Sequence, residues 1–181
     1  MQPIEHQPRI PFWGALGKFQ KFIMAVSSVL IVGMICYAVV ARYVFGSDFY
    51  GSEELIQMLA FWLYFMGAAQ GSREKSQISA DILTCYITSE KWCRITVLVK
   101  DFLTAAICLL VTGWAVKFVA WGFVMMPQSP VFKLPMLIPH SAVGLGFVLM
   151  SLYHVTYFIQ DFTGLLRDLR NGRLVEARGE I

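Results

Sequence analysis

The chain has 181 residues, of which 57% are hydrophobic, 14% aromatic and only 15% charged, with a formal net charge of +3 and a mean hydropathy of +0.59. So little charge does not solvate the surface of a domain this size, which excludes a water-soluble globular protein and makes lipid the expected solvent. The modest positive charge flanks the apolar stretches, where it fixes topology beside anionic lipid, and no nucleic-acid partner is expected.

Ile10 to Phe22 interleaves Phe12, Trp13, Phe19 and Phe22 with Lys18 and Lys21, a pattern that suits a short interfacial segment before the first membrane helix. The first span is expected over residues 22–45. Its apolar run exceeds a signal-peptide core and no small-residue cleavage site follows, so it reads as an uncleaved signal anchor. It ends in a collar of Arg42, Tyr43 and Phe45 before Gly46. An arginine at the bilayer centre costs about 2.5 to 3.5 kcal/mol on insertion scales, whereas near a helix end it snorkels to the headgroups, which suffices to explain Arg42.

The second span is expected over residues 53–72. Leu55 to Ala69 is almost wholly apolar, and with Gln70 and Gly71 it approaches the roughly 20 residues that cross a bilayer at about 1.5 Å each. Ser52 is the expected N-cap, with Glu53 and Glu54 facing the positive end of the helix dipole. The same carboxylates suit an acidic contact for an external partner, and both readings stand. Gly67 and Gly71 form a GxxxG spacing that permits close helix approach. The run stops abruptly at Arg73, Glu74 and Lys75.

Residues 76–88 are too polar to span, yet Ile78, Ile82, Cys85 and Tyr86 recur on one side, which predicts an interfacial amphipathic helix. Ser89 and Glu90 resemble a fresh helix start, and the third helix, spanning at 100–126, is expected to run from near Glu90 to Met126, longer than the bilayer. Lys117 lies in its apolar part about 13 Å from the outer end, where its ammonium either snorkels or meets a polar partner. Pro127, Pro130, Pro135 and Pro139 then predict a stiff, extended outer cap. The fourth span, residues 137–160, takes Pro139 in its first turn, offers Ser141, Ala142, Gly144 and Gly146 for packing, carries His140 and His154 as isolated polar groups, and leads after Asp161 into a basic tail.

Lys and Arg cluster before span one (Arg9, Lys18, Lys21), between spans two and three (Arg73, Lys75, Lys91, Arg94, Lys100) and after span four (Arg167, Arg170, Arg173, Arg178). The other two connections hold Asp48, Glu53 and Glu54 on one side and Lys133 alone on the other. By the positive-inside rule both termini are cytoplasmic. The expected fold is therefore an all-α integral membrane protein: one domain over residues 1–181, four transmembrane helices, and an interfacial amphipathic helix between the second and third.

Groups that could perform chemistry do not converge. His140 and His154 share one helix about 21 Å apart and so do not clamp one heme. Cys36, Cys85, Cys93 and Cys108 contain no CxxC and are expected as reduced thiols. Metal-ligand spacings, nucleotide-binding glycine loops and nucleophile elbows are absent, so neither an enzyme nor a cofactor is expected. Transport by this chain alone lacks the duplicated halves and broken midplane helices that transporters show.

The order Arg42-Tyr43-Val44-Phe45-Gly46, Ser52-Glu53-Glu54-Leu55, Phe61-Trp62-Leu63 with Gly67-Ala68-Ala69, then Arg73 and Ile78 to Leu83 including Asp81, resembles the small membrane subunit of tripartite ATP-independent periplasmic (TRAP) transporters. A looser similarity covers Ser129-Pro130, Leu134-Pro135, Ile138-Pro139 and Gly144. Gln77 departs from the pattern, standing where the family usually has histidine, which removes any proton-dependent role there.

The resemblance implies a bacterial inner-membrane protein acting in secondary, usually sodium-driven, symport of organic acids such as C4-dicarboxylates, sialic acids or keto acids. Its partners would be a large elevator-type membrane subunit, which would carry the sodium and the substrate, a periplasmic binding protein, and lipid. This chain would brace the scaffold, anchored through Arg42, Tyr43, Trp62, Gly67, Arg73, Gln77, Asp81, Pro135 and Pro139. Tyr50, Glu53, Glu54, Gln128, Ser129 and Lys133 would help dock the binding protein. A structural or assembly subunit of another membrane complex, or a redox anchor, remains open on the residues alone.

Overall fold

The computed structural model describes residues 11–47, 49–74 and 90–170, and these form four helices: α1 (Pro11–Val44), α2 (Ser52–Arg73), α3 (Glu90–Met125) and α4 (Leu137–Arg170). The all-α expectation holds, since the described residues contain no strand beyond an isolated bridge between Gln128 and Pro135. The expected amphipathic helix, with Gln77 and Asp81, lies outside the described residues.

Among the described residues three helices are long and apolar enough to cross a membrane, within Gly14–Val44, Ile95–Met125 and Leu137–Arg167. The expectation of four is met only by these three. Gln57, Tyr64, Gln70 and Ser72 dilute the apolar character of α2, and two of them, Gln70 and Ser72, are buried against its neighbours. Two boundaries also differ from expectation. The aromatic and basic stretch before span one is the start of a continuous α1, and α4 runs on past Asp161 into the sequence read as a tail.

The helices pack in the order α1, α2, α4, α3. The seam of α3 that meets α4 runs through Ala105, Cys108, Thr112, Ala115, Val119 and Gly122, alternately three and four apart, and is flanked by Phe102 against Phe158 and Phe118 against His140. Thr112 Oγ1 donates within 2.7 Å of the Cys108 carbonyl and 3.0 Å of the Phe147 carbonyl across the interface. A Cβ on Gly144 would come within 2.7 Å of Val119 Cγ2.

The opposite face of α4 meets α2. Ala142 and Ala69 are fully buried there, and a Cβ on Gly146 would lie 2.8 Å from Phe65 Cβ and 3.1 Å from its carbonyl oxygen. Gly67, singled out by its GxxxG spacing, faces Met24 of α1 at ordinary contact distance.

At the Arg73 end, α1, α2 and α4 converge on a polar cluster. Tyr153 donates to Gln20 Oε1 at 3.2 Å, both side chains being buried, and Tyr157 donates to the Arg73 backbone carbonyl. The Arg73 guanidinium lies over Gly17, where a Cβ would collide with it. Beside them Lys21 Nζ pairs with Glu74 Oε1 at 3.0 Å, and the same oxygen accepts from Gln70 Nε2 at 2.6 Å.

Candidate functional site

The other end of the α1–α2 pair holds an open groove of about 870 Å³. Its first wall is the end of α1, from Ile35 to Tyr43. There Gly46, at φ 61, turns the chain so that Ser47 N–H donates to the Ala41 carbonyl at 3.1 Å. The second wall is the start of α2. Gly51 rather than Ser52 caps this helix, with φ 87, a left-handed conformation that suits glycine. No side chain caps α2, so the expected Ser52 cap is replaced by a backbone turn in which Glu54 N–H donates to the Gly51 carbonyl at 3.1 Å.

The connection between α3 and α4 forms the rim. It was expected to be an extended cap, but it closes on itself: Ser129 N–H donates to the Leu134 carbonyl at 2.9 Å, and Met136 N–H to the Pro127 carbonyl at 2.8 Å. The prolines remove donors only at their own positions, and the ladder uses the residues between them. Met126 and Lys133 take positive φ of 41 and 50, uncommon for residues with a Cβ, at the entry to the turn and within it.

Glu54 holds this turn in place. Its Oε1 accepts Val131 N–H at 2.8 Å and its Oε2 accepts Phe132 N–H at 3.1 Å, so both carboxylate oxygens engage consecutive backbone donors. These are charge-assisted bonds that also satisfy N–H groups no local ladder reaches. Phe132 and Val131 press against Gly51, leaving no room for a Cβ. A chain of rings continues the contact, Phe132 to Phe49 at 6.4 Å and Phe49 to Tyr37 at 5.7 Å.

Arg42, Tyr43, Tyr50, Glu53 and Glu54 all line the groove, together with Pro130 and Val131 of the rim. Tyr43 and Tyr50 are each 82% exposed. Gln128 and Lys133 are exposed on the turn, whereas Ser129 is buried and its Oγ accepts Leu134 N–H at 3.2 Å. Pro135 closes the bridge with Gln128, and Pro139 is buried in the first turn of α4. Trp62 is half-buried midway along α2, and Arg73 belongs to the polar cluster at the far end. The clamp of Glu54 on the turn was not read from the sequence, and neither was the Gln20–Tyr153 pair. Both join residues far apart in the chain, and no local pattern marks them.

Among the described residues no cluster of three or more His, Cys, Asp or Glu is placed to hold a metal. The groove offers one guanidinium, two carboxylates and two phenols, and both oxygens of one carboxylate, that of Glu54, are already engaged by the rim.

No curated protein matches the chain. A family model described as "Tripartite ATP-independent periplasmic transporters, DctQ component" matches residues 31–164, from the middle of α1 almost to the end of α4. The chain belongs to this family: it is a multi-pass protein of the inner membrane and one component of a tripartite transporter.

Proposed function

We propose that the chain is the non-catalytic small membrane subunit of its transporter, bracing the static scaffold of a larger elevator-type subunit and forming part of the dock for the periplasmic binding protein. In this reading α2 is a fourth membrane-crossing segment, made compatible with lipid by burying Gln70 and Ser72 against α1 and α4. Both termini then lie in the cytoplasm, the Arg73 cluster sits at the inner face, and the groove opens to the periplasm. The transported solute belongs to the organic acids and its uptake is driven by sodium bound elsewhere in the complex.

The observation that carries the docking role is the Glu54 clamp. It fixes the α3–α4 turn on the start of α2, so Glu53, Tyr50 and the turn's outer residues form one prearranged surface. The test is Glu53→Lys, which leaves the clamp untouched. Binding-protein docking to the reconstituted membrane complex should weaken at low salt while the complex still assembles, and unchanged docking would remove the support. Bracing is tested by sodium-driven acid uptake in vesicles holding the large subunit and binding protein with and without this chain.

A further inference from the structure

The side of α3 turned away from α4 carries a second seam. Ile107, Leu110, Trp114, Lys117, Trp121 and Val124 follow one another at alternate spacings of three and four residues. The five apolar members are between 50% and 79% exposed, and Lys117 is exposed among them. The seam facing α4 is built from small residues, so α3 is patterned for a helix on both sides, one of which is present in this chain. A single lysine in an otherwise apolar heptad seam is a device that sets register and partner.

Lipid satisfies this edge at neither limit of its register. The 36-residue α3 is about 54 Å long, against about 30 Å of hydrocarbon. If the bilayer reaches the end of α3, Lys117 lies eight residues, about 12 Å, below that end, farther than its four-carbon stem extends. If the bilayer instead ends at Lys117, then Phe123, Val124, Met125 and Met126, 56% to 79% exposed, stand in water as one apolar patch. Between those limits, with the bilayer edge near Trp121, Lys117 lies about 6 Å deep and its stem reaches the headgroups only by extending against the N-terminal tilt of its Cα–Cβ bond, whereas a helix laid along the seam partners the ammonium and covers the apolar residues in every register. Among the described residues Lys117 forms no ion pair, and the nearest acidic residue on its own helix is Asp101, four to five turns away.

We propose that this edge of α3 seats a membrane helix of the large subunit, with Lys117 paired to an aspartate or glutamate of that helix and Trp114 and Trp121 packed on either side of the pair. This rests on the reading that the chain works beside a larger membrane subunit and names the face and chemistry by which it does so.

The experiment uses the whole transporter in cells and in detergent-purified form. Benzoylphenylalanine in place of Trp114 or Trp121 should, on irradiation, join this chain to the large subunit. Lys117→Glu and Lys117→Met should each lower recovery of the two-subunit complex on the order of tenfold, because each leaves a carboxylate uncompensated, while Lys117→Arg preserves it. Capture of lipid alone, capture of a second copy of this chain, or full recovery with Lys117→Met would overturn the proposal. A photoprobe at Val32 of α1 separates the two levels of inference. Capture of the large subunit there and not from α3 sinks this assignment but keeps the bracing reading. Failure of the two chains to co-purify at all, with Lys117 intact, sinks the bracing reading itself.

Discussion

Glu54 Oε1 and the Val131 N–H are 2.8 Å apart across 77 residues of chain, and this bond with its neighbour at Phe132 is what fixes the α3–α4 turn on the start of α2. Replacing Glu54 with alanine leaves two backbone donors without an acceptor. Hydrogen exchange of the purified subunit should then show faster exchange at Val131 and Phe132, with the cores of α3 and α4 unaffected. Glu54→Gln, which keeps one acceptor oxygen, should fall between.

Gly51 is the position where the same junction tolerates no side chain. Gly51→Ala combines a left-handed backbone, about 1 to 2 kcal/mol unfavourable for other residues, with collision against Phe132 and Val131. The melting temperature in detergent should drop by several degrees. Gly113→Ala, where nothing lies within 4 Å, should be neutral or raise it, since glycine in a helix interior costs about 1 kcal/mol relative to alanine.

Gly146→Ala tests the α2–α4 contact. A methyl there meets Phe65 Cβ at 2.8 Å and the Phe65 carbonyl at 3.1 Å, and the backbone oxygen has no rotamer by which to retreat. Helix separation is expected, at a cost of about 1 to 3 kcal/mol typical of overpacking. Because leucine keeps the Cβ that the methyl meets, the double variant Gly146→Ala, Phe65→Leu should retain most of the defect, and restored stability would show that the ring, whose Cδ1 lies 3.1 Å from the same methyl, is the obstacle.

Acid should act at the other end of the bundle. Hydrogen bonding from Lys21, and then from Gln70, holds the Glu74 carboxyl below its ordinary value. Because the folded value is the lower one, the contribution to stability is complete above about pH 4.3, the usual glutamate value, and fades as pH falls through the folded value. Melting temperatures recorded from neutral pH downward should show this acid-dependent loss in the native chain and a smaller one in Glu74→Gln. The pair is largely exposed, so the difference should be small and reduced by salt.

The parts that were legible in the sequence are those with a local signature. Arg42, Tyr43, Tyr50 and Glu53 lie on either side of one short connection, so bringing α1 and α2 side by side places them in one groove. The small residues of α4 likewise marked its packing faces. Ser52 misled because serine is a favoured cap, while Gly51 takes that place with a left-handed backbone packed under the Phe132 ring, which comes from a distant segment. Four prolines suggested an extended loop, yet Ser129 and Met136 keep the donors that fold it back. Gln20 read as part of an interfacial stretch beside Lys18 and Lys21, and only its burial against Tyr153 shows that it belongs inside.

The main helix contacts run α1 to α2 to α4 to α3, and at the Arg73 end α1 and α4 also meet, through Gln20 and Tyr153. That end is a three-sided prism, which resists bending in every direction, whereas α3 is attached chiefly along one edge, through α4. A moving neighbour that leans on the prism meets stiffness, and one that leans on α3 meets the more compliant part of the chain, so the point of thrust decides whether this chain holds or yields.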